Sequence, residues 1–218
     1  FDGTSPDYPD QETSPHPRTI DNSCLSMPTE GEGVIGVTAT GPSGRKAYYS
    51  NYGTEQADVA APGGDYQDFP GTAQNATPQN LILAPYPESV GRANGDIDET
   101  GAPTTAFVVK DTKNGQSAYY QYLQGTSMAT PHVVGVVALI VSQYGKRDRS
   151  QGGLTLPPDR VQKLLYKSAT DTPCPTPRLF EYPGLDPVYN AYCEGGPKRN
   201  GFYGDGVVDA LAALHAKD

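Results

Sequence analysis

The chain has 218 residues and a formal net charge of −9, which argues against nucleic acid and anionic membrane surfaces as partners. Hydrophobic residues make up 36% of it, with 25 Gly and 21 Pro. That describes a one-domain-sized polypeptide whose core is confined to a few segments joined by turns and long loops.

Residues 1–32 are rich in Pro, Asp, Ser and Thr and show no period, so they read as an irregular surface segment. His16, in Ser14-Pro15-His16-Pro17, suits an exposed turn and not a catalytic base. The chain opens at Phe1 without a Met or a signal-like segment and reads as an excerpt or a processed piece. Residues 33–40 form a β-branched run bounded by Gly and Pro, which predicts a buried strand. Residues 64–118 are a long stretch of Gly, Pro, Asn, Gln, Thr and acids. Within it, 81–84 and 106–109 read as short strands that would pair as a hairpin.

Gly125-Thr126-Ser127-Met128-Ala129-Thr130-Pro131-His132 leads into a run, 133–141, that is almost wholly apolar. An all-round apolar helix belongs inside a protein. No run approaches the length of a membrane span. Pro131 fits only near the helix start, since it lacks an N–H and clashes with the carbonyl four residues back, that of Ser127. Gly135 and Ala138 leave a small-residue face on which another element can pack closely. Ser127 therefore sits where a loop enters a buried helix, at its positive end. A serine so placed can attack a carbonyl and hold the oxyanion with its own N–H; it can also serve only as a helix cap.

Residues 144–151 form a charged exit loop. Residues 156–169 place Pro at the start and Val161, Leu164, Leu165 and Ala169 at helical spacing, which predicts an amphipathic surface helix. Residues 170–200 are a Pro-rich loop with little core of its own, so Cys174 and Cys193 are expected to form a disulfide across it. Cys24 is left to find a partner elsewhere. The cysteines have no metal spacing, and their use points to an oxidising, extracytoplasmic location. Asn75-Ala76-Thr77 fits a glycosylation sequon, a short and weak pattern.

The octapeptide around Ser127 resembles the nucleophile motif of the subtilisin-like serine proteases, the subtilases. Three more stretches resemble that family's landmarks, in family order: the strand at 33–40, Ser50-Asn51-Tyr52-Gly53, and Ala61-Pro62-Gly63. Residues 200–214 resemble its closing turn and last helix. The resemblance implies an α/β, three-layer subtilisin-like fold with a parallel sheet. Residues 1–218 would be only the C-terminal portion of one catalytic domain, with 64–118 an insertion and 170–200 a Pro/Cys loop. It implies Ser127 as nucleophile and one oxyanion donor, Thr126 as oxyanion support, Met128 as the oxidation-prone neighbour, and His132 as a buried structural histidine. The insertion, tethered at Gly125, would lie near the cleft rim or be a solvent-facing decoration.

The resemblance also marks what is absent. The family's triad Asp and His and its oxyanion Asn stand in motifs ahead of everything here, and none occurs in this sequence; Asn22 is in another context. These residues alone are expected to be inactive and to need the missing N-terminal half as partner. An inhibitory propeptide is a further possible partner. Structural calcium is common in the family, but no ligands can be assigned, and no other cofactor is expected. The reading is thus a secreted serine endopeptidase acting on polypeptide substrates. A degenerate subtilase domain used for binding or scaffolding would instead show decay at the nucleophile. An α/β-hydrolase esterase would use Ser127, Asp205 or Asp209, and His215.

Overall fold

The computed structural model describes residues 25–150 and 152–216, which divide into two units between Val34 and Ile35. Of the first, only residues 25–34 are described, and they form turns, with Gly31 N–H donating to Pro28 O at 2.9 Å and Val34 N–H to Gly31 O at 3.1 Å. His16 and Cys24 lie outside the described residues.

The second unit is built on two parallel strands, β1 (Val37–Thr40) and β2 (Val59–Pro62), with Val37 opposite Val59 and Thr40 opposite Pro62. Their small and β-branched side chains let both faces be covered closely. Alternation assigns the faces. Ala39, Val59 and Ala61 join one core cluster, with Ala129, Val133, Val136 and Ile140 of α2 (Thr126–Tyr144). Ala60 joins another, with Tyr182, Cys193, Phe202 and Tyr203, and Thr38 Oγ1 donates to Phe202 O at 2.7 Å on that side. The helical layer is completed by α3 (Pro158–Ser168) and α4 (Ala210–His215), both packed on α2. The class is α/β, as the sequence implied. After α2 the parallel pairing continues only as a bridge between Ala60 and Val207 among the described residues.

The long segment between β2 and α2 holds a three-stranded antiparallel sheet. Its strands are β3 (Ile82–Pro85), β4 (Val108–Lys113) and β5 (Gln116–Leu123), in the order β3-β5-β4, and the short helix α1 (Glu88–Ala93) lies between β3 and β4. The expected hairpin between 81–84 and 106–109 is therefore wrong. Both strands exist, but each pairs with β5 and not with the other. The true hairpin is β4–β5, turned by Asn114 (φ 54°) and Gly115 (φ 76°), a pair suited to a two-residue turn with both φ positive. Tyr86, Ile97, Val108 and Tyr119 give this sheet a small core of its own.

The exit loop after α2 contains a minimal hairpin, β6 (Lys146–Arg147) with β7 (Leu154–Thr155). Within 170–200, β8 (Leu179–Phe180) pairs with β9 (Ala191–Tyr192), and the Cys174–Cys193 disulfide closes the loop as expected. Asn75, in the sequon, is committed inside its loop: Nδ2 donates to Gln67 O and Asp68 O, both at 3.0 Å.

Candidate active site

α2 begins where β5 ends, so the chain passes from sheet to helix through Gln124 and Gly125. Gly125 has φ 153°, a conformation that a side chain would strain. Its carbonyl accepts from the N–H of Met128 at 2.9 Å and of Ala129 at 3.2 Å. The N–H groups of Thr126 and Ser127 belong to the first turn and lack intrahelical acceptors. Ser127 is exposed, and among the described residues its hydroxyl has no hydrogen-bond partner. A hydroxyl open to solvent thus stands beside free backbone donors at a positive helix end, the arrangement an acyl-transfer nucleophile needs. Thr126 is half-buried, and its carbonyl accepts from Thr130 Oγ1 at 2.9 Å.

The approach to this turn is held from behind. Gly125 N–H donates to Gly63 O at 3.0 Å, tying the end of the Ala61-Pro62-Gly63 stretch to the turn that carries Ser127. Gly63 is required there: a Cβ would lie 2.6 Å from Ala39 Cβ and 2.7 Å from Gly125 O. The Ala-Pro-Gly landmark and the serine motif, far apart in sequence, are one contact in space.

Three expectations about the helix are corrected. α2 is not buried on every side: Ala129, Val133, Val136 and Ile140 are buried, but Pro131, Val134, Gly135, Ala138 and Leu139 are exposed. The small-residue face at Gly135 is uncovered: among the described residues no other element comes within 4 Å of where its Cβ would be. His132 is likewise exposed and not buried, its Nδ1 2.8 Å from Met128 O. It lies on the uncovered side of the helix, whereas the resemblance implied a buried histidine. The helix is also, at 19 residues, long and apolar enough to cross a membrane, contrary to the sequence expectation. Its buried face nonetheless packs on β1, β2, α3 and α4.

The residues required by the esterase reading do not gather. Asp209 caps α4 by accepting from Ala212 N–H at 2.8 Å, and Asp205 pairs with Arg199. His215 closes α4, its Nδ1 2.9 Å from Leu211 O. Among the described residues no imidazole bonds to Ser127. Nor does any group of three or more His, Cys, Asp or Glu gather there to hold a metal. The fully buried carboxylates, Asp65 and Asp68, are turned to Arg45, at 2.9 and 3.0 Å, and so offer no cation cage.

Residues 7–201 match the Subtilase family. The chain belongs to that family. It is 30% identical over 191 residues to an extracellular protease of Xanthomonas campestris pv. campestris, which covers 88% of this chain and 21% of that protein. It is 26% identical to an extracellular basic protease of Dichelobacter nodosus, over 88% of this chain and 21% of that protein. This subtilase chain thus spans about a fifth of the length of these curated relatives. Among solved structures it is similar to fervidolysin of Fervidobacterium pennivorans, described as a keratinolytic enzyme related to subtilisin. That match has 22% identity and a TM-score of 0.44, over 88% of this chain and 20% of that one.

The cage around Lys46 was not legible as a feature of this subtilase chain. Lys46 is 2% exposed, and its ammonium lies 4.9 Å from the Tyr52 ring centroid, 5.5 Å from that of Tyr182 and 5.6 Å from that of Phe202. Burial pulls its pKa from 10.5 down to about 8, against the attraction of Asp65. Tyr52 is near Lys46 in sequence, but Tyr182 and Phe202 are far from it, so no local pattern announces the cage.

Proposed function

We propose that residues 1–218 are the C-terminal, nucleophile-bearing portion of the catalytic domain of a secreted serine endopeptidase, with 64–118 an insertion at the cleft rim. In this reading Ser127 Oγ attacks the carbonyl carbon of a peptide bond. Its proton passes to a histidine supplied from outside these residues and then to the departing amine. Water afterwards hydrolyses the acyl-enzyme. Ser127 N–H, with Thr126 beside it, stabilises the oxyanion. The carrying observation is the exposed, unpartnered Ser127 at the first turn of α2, inside a subtilase sequence. The names of the relatives, both extracellular proteases, and the disulfide support secretion.

The uncovered face of α2 supports the need for an N-terminal half. An apolar helix stripe with small residues at Gly135 and Ala138 is suited to close packing by another element, and nothing described here fills it. The scaffold alternative predicts decay at the nucleophile, whereas Ser127, its glycine cap and its free donors are all intact.

A fluorophosphonate probe tests the reading. The complete polypeptide should be labelled at Ser127, its Ser127→Ala variant should not, and residues 1–218 alone should be labelled barely at all. Carried over from subtilisin, loss of the histidine alone lowers kcat by a factor on the order of 10⁶. Equal labelling of the short and the complete chains would mean that a base lies within these residues and would sink the proposal.

A further inference from the structure

Two consecutive tyrosines, Tyr48 and Tyr49, bear on the two residues that lead into α2: Tyr48 on the side-chain amide of Gln124, and Tyr49 on Gly125 through the carbonyl of Gly63. The Tyr49 hydroxyl lies 2.9 Å from Gly63 O and 2.6 Å from Gly64 O, its proton shared between them. Gly63 O is the same oxygen that accepts Gly125 N–H at 3.0 Å. It is therefore a joint between the tyrosine and the residue that caps α2. The contact is tight, since a Cβ on Gly63 would lie 3.1 Å from Tyr49 Oη as well as against Gly125 O.

Tyr48 holds the preceding residue. Its Oη accepts from Gln124 Nε2 at 3.1 Å, while Gln124 Oε1 accepts from Tyr66 N–H at 2.7 Å. The two rings meet edge to face at 5.3 Å, and Tyr48 packs in the same way on Tyr189 at 5.2 Å. Each hydroxyl thus ends a rigid side chain with only two free torsions, braced by neighbouring rings. Burial keeps Tyr49 protonated well above the ordinary tyrosine range, against the pull of the Gly125 N–H, so it remains a donor at any working pH.

We propose that Tyr48 and Tyr49 form a clamp that positions the nucleophile turn, fixing Gln124 and Gly125 so that Ser127 is presented at a set height above its oxyanion donors. Neither hydroxyl bonds to Ser127; both tyrosines are positioning residues that act through Gln124, Gly63 and Gly125. The inference rests on the reading of Ser127 as nucleophile. Misplacing a reacting group by about 1 Å can cost on the order of 10²-fold. Loosening the turn without displacing it should cost less, and should appear in kcat.

The test uses the complete polypeptide with Tyr49→Phe and Tyr48→Phe, which keep the rings and remove only the hydroxyls. Tyr49→Phe should lower kcat on a peptide substrate, and the rate of fluorophosphonate labelling of Ser127, by about tenfold, with KM within about twofold of the parent. Tyr48→Phe should act in the same sense but less. If Tyr49→Phe does not fold, Tyr48→Phe, which loses one bond to a half-exposed amide, carries the test. A parent labelled at Ser127 with both variants reacting at its rate would overturn the clamp and leave the nucleophile standing. A change confined to KM would also overturn it, because the hydroxyls would then serve substrate binding. A parent that is not labelled at Ser127 would overturn the underlying reading itself.

Discussion

Lys46 and Tyr182, 136 residues apart, bond to each other twice. Lys46 Nζ donates to Tyr182 Oη at 3.4 Å, and Tyr182 Oη donates to the Lys46 carbonyl at 2.9 Å. The same ammonium donates to Ala47 O at 3.0 Å. This is how the disulfide loop is fastened to the strand layer: the loop supplies Tyr182, and the segment after β1 supplies a cation held among aromatic faces.

The buried ammonium should make stability rise with pH in mild alkali. Folded Lys46 releases its proton near pH 8, while the unfolded chain holds it to 10.5. Between those values the unfolded state binds more protons, so raising the pH favours the folded state. The gain should be about 3 kcal/mol across the window. Burial raises the pKa of Tyr49 and Tyr182, so above pH 10 the unfolded state loses protons first and stability turns down again. Urea unfolding from pH 7.5 to 10 should show the rise in the parent and a flat profile in Lys46→Met. A rise of equal size in both would assign it to other groups.

Arg45→Met should be among the most damaging surface-adjacent substitutions. Arg45 bonds Asp65 at 2.9 Å, Asp68 at 3.0 Å and Gln67 O at 2.7 Å, and both carboxylates are essentially unexposed. Removing the cation leaves two buried like charges, a loss of about 3–5 kcal/mol. The double variant Asp65→Asn/Arg45→Met should recover part of it. Chemical denaturation of the parent and both variants measures this directly, and a loss below about 1 kcal/mol for Arg45→Met would contradict the structure.

Local signals in the sequence were sufficient for some elements and not for others. α3 was legible because Val161, Leu164 and Leu165 repeat at helical spacing behind a proline, and the structure places it at Pro158–Ser168. The disulfide was legible because its two cysteines flank a Pro-rich loop with little core of its own. β5 was missed: Tyr119, Tyr120 and Tyr122 blur the alternation, since tyrosine suits either face of a sheet. Asn114-Gly115 was the signal that would have found its hairpin. The burial of α2 was overstated because composition reports how apolar a helix is, not how many neighbours surround it. Of the candidate site, Ser127 and its cap were readable as a motif. The grip of Tyr49 on Gly63 was not, because hydrogen bonds to backbone carbonyls leave no trace in residue spacing.

Reducing the Cys174–Cys193 bond should destabilise the protein by about 3 kcal/mol, the scale for closing a loop of this length. The sequence separation is 19 residues, and the enclosed segment contributes mainly β8, β9 and aromatic contacts, so it has little to hold it once opened. Arg178, which donates to Cys193 O and Gly195 O, both at 3.0 Å, would lose its fixed partners. Thermal unfolding with and without a reductant checks this. An unchanged midpoint in a sample shown by thiol titration to be reduced would mean that the Lys46–Tyr182 contact suffices alone.

The exposed stripe of α2 gives a test of the proposed N-terminal half. Val134 is 61% exposed and Leu139 39%, and Gly135 and Ala138 lie between them on the same side. If these residues stay in water, Val134→Glu and Ala138→Glu should each change stability by no more than about 0.5 kcal/mol, in residues 1–218 and in the complete polypeptide alike. If an N-terminal half packs there, each variant buries an unpaired carboxylate in the complete polypeptide and should cost about 3 kcal/mol or more, while residues 1–218 remain indifferent. We expect the second pattern, because a close-packing stripe on the helix that carries Ser127 would also fix the depth at which an incoming histidine meets the hydroxyl. Fluorophosphonate labelling of Ser127 in the same variants should therefore fall together with stability, and labelling at parental rate in a Val134→Glu polypeptide would show that this face takes no part in assembling the site.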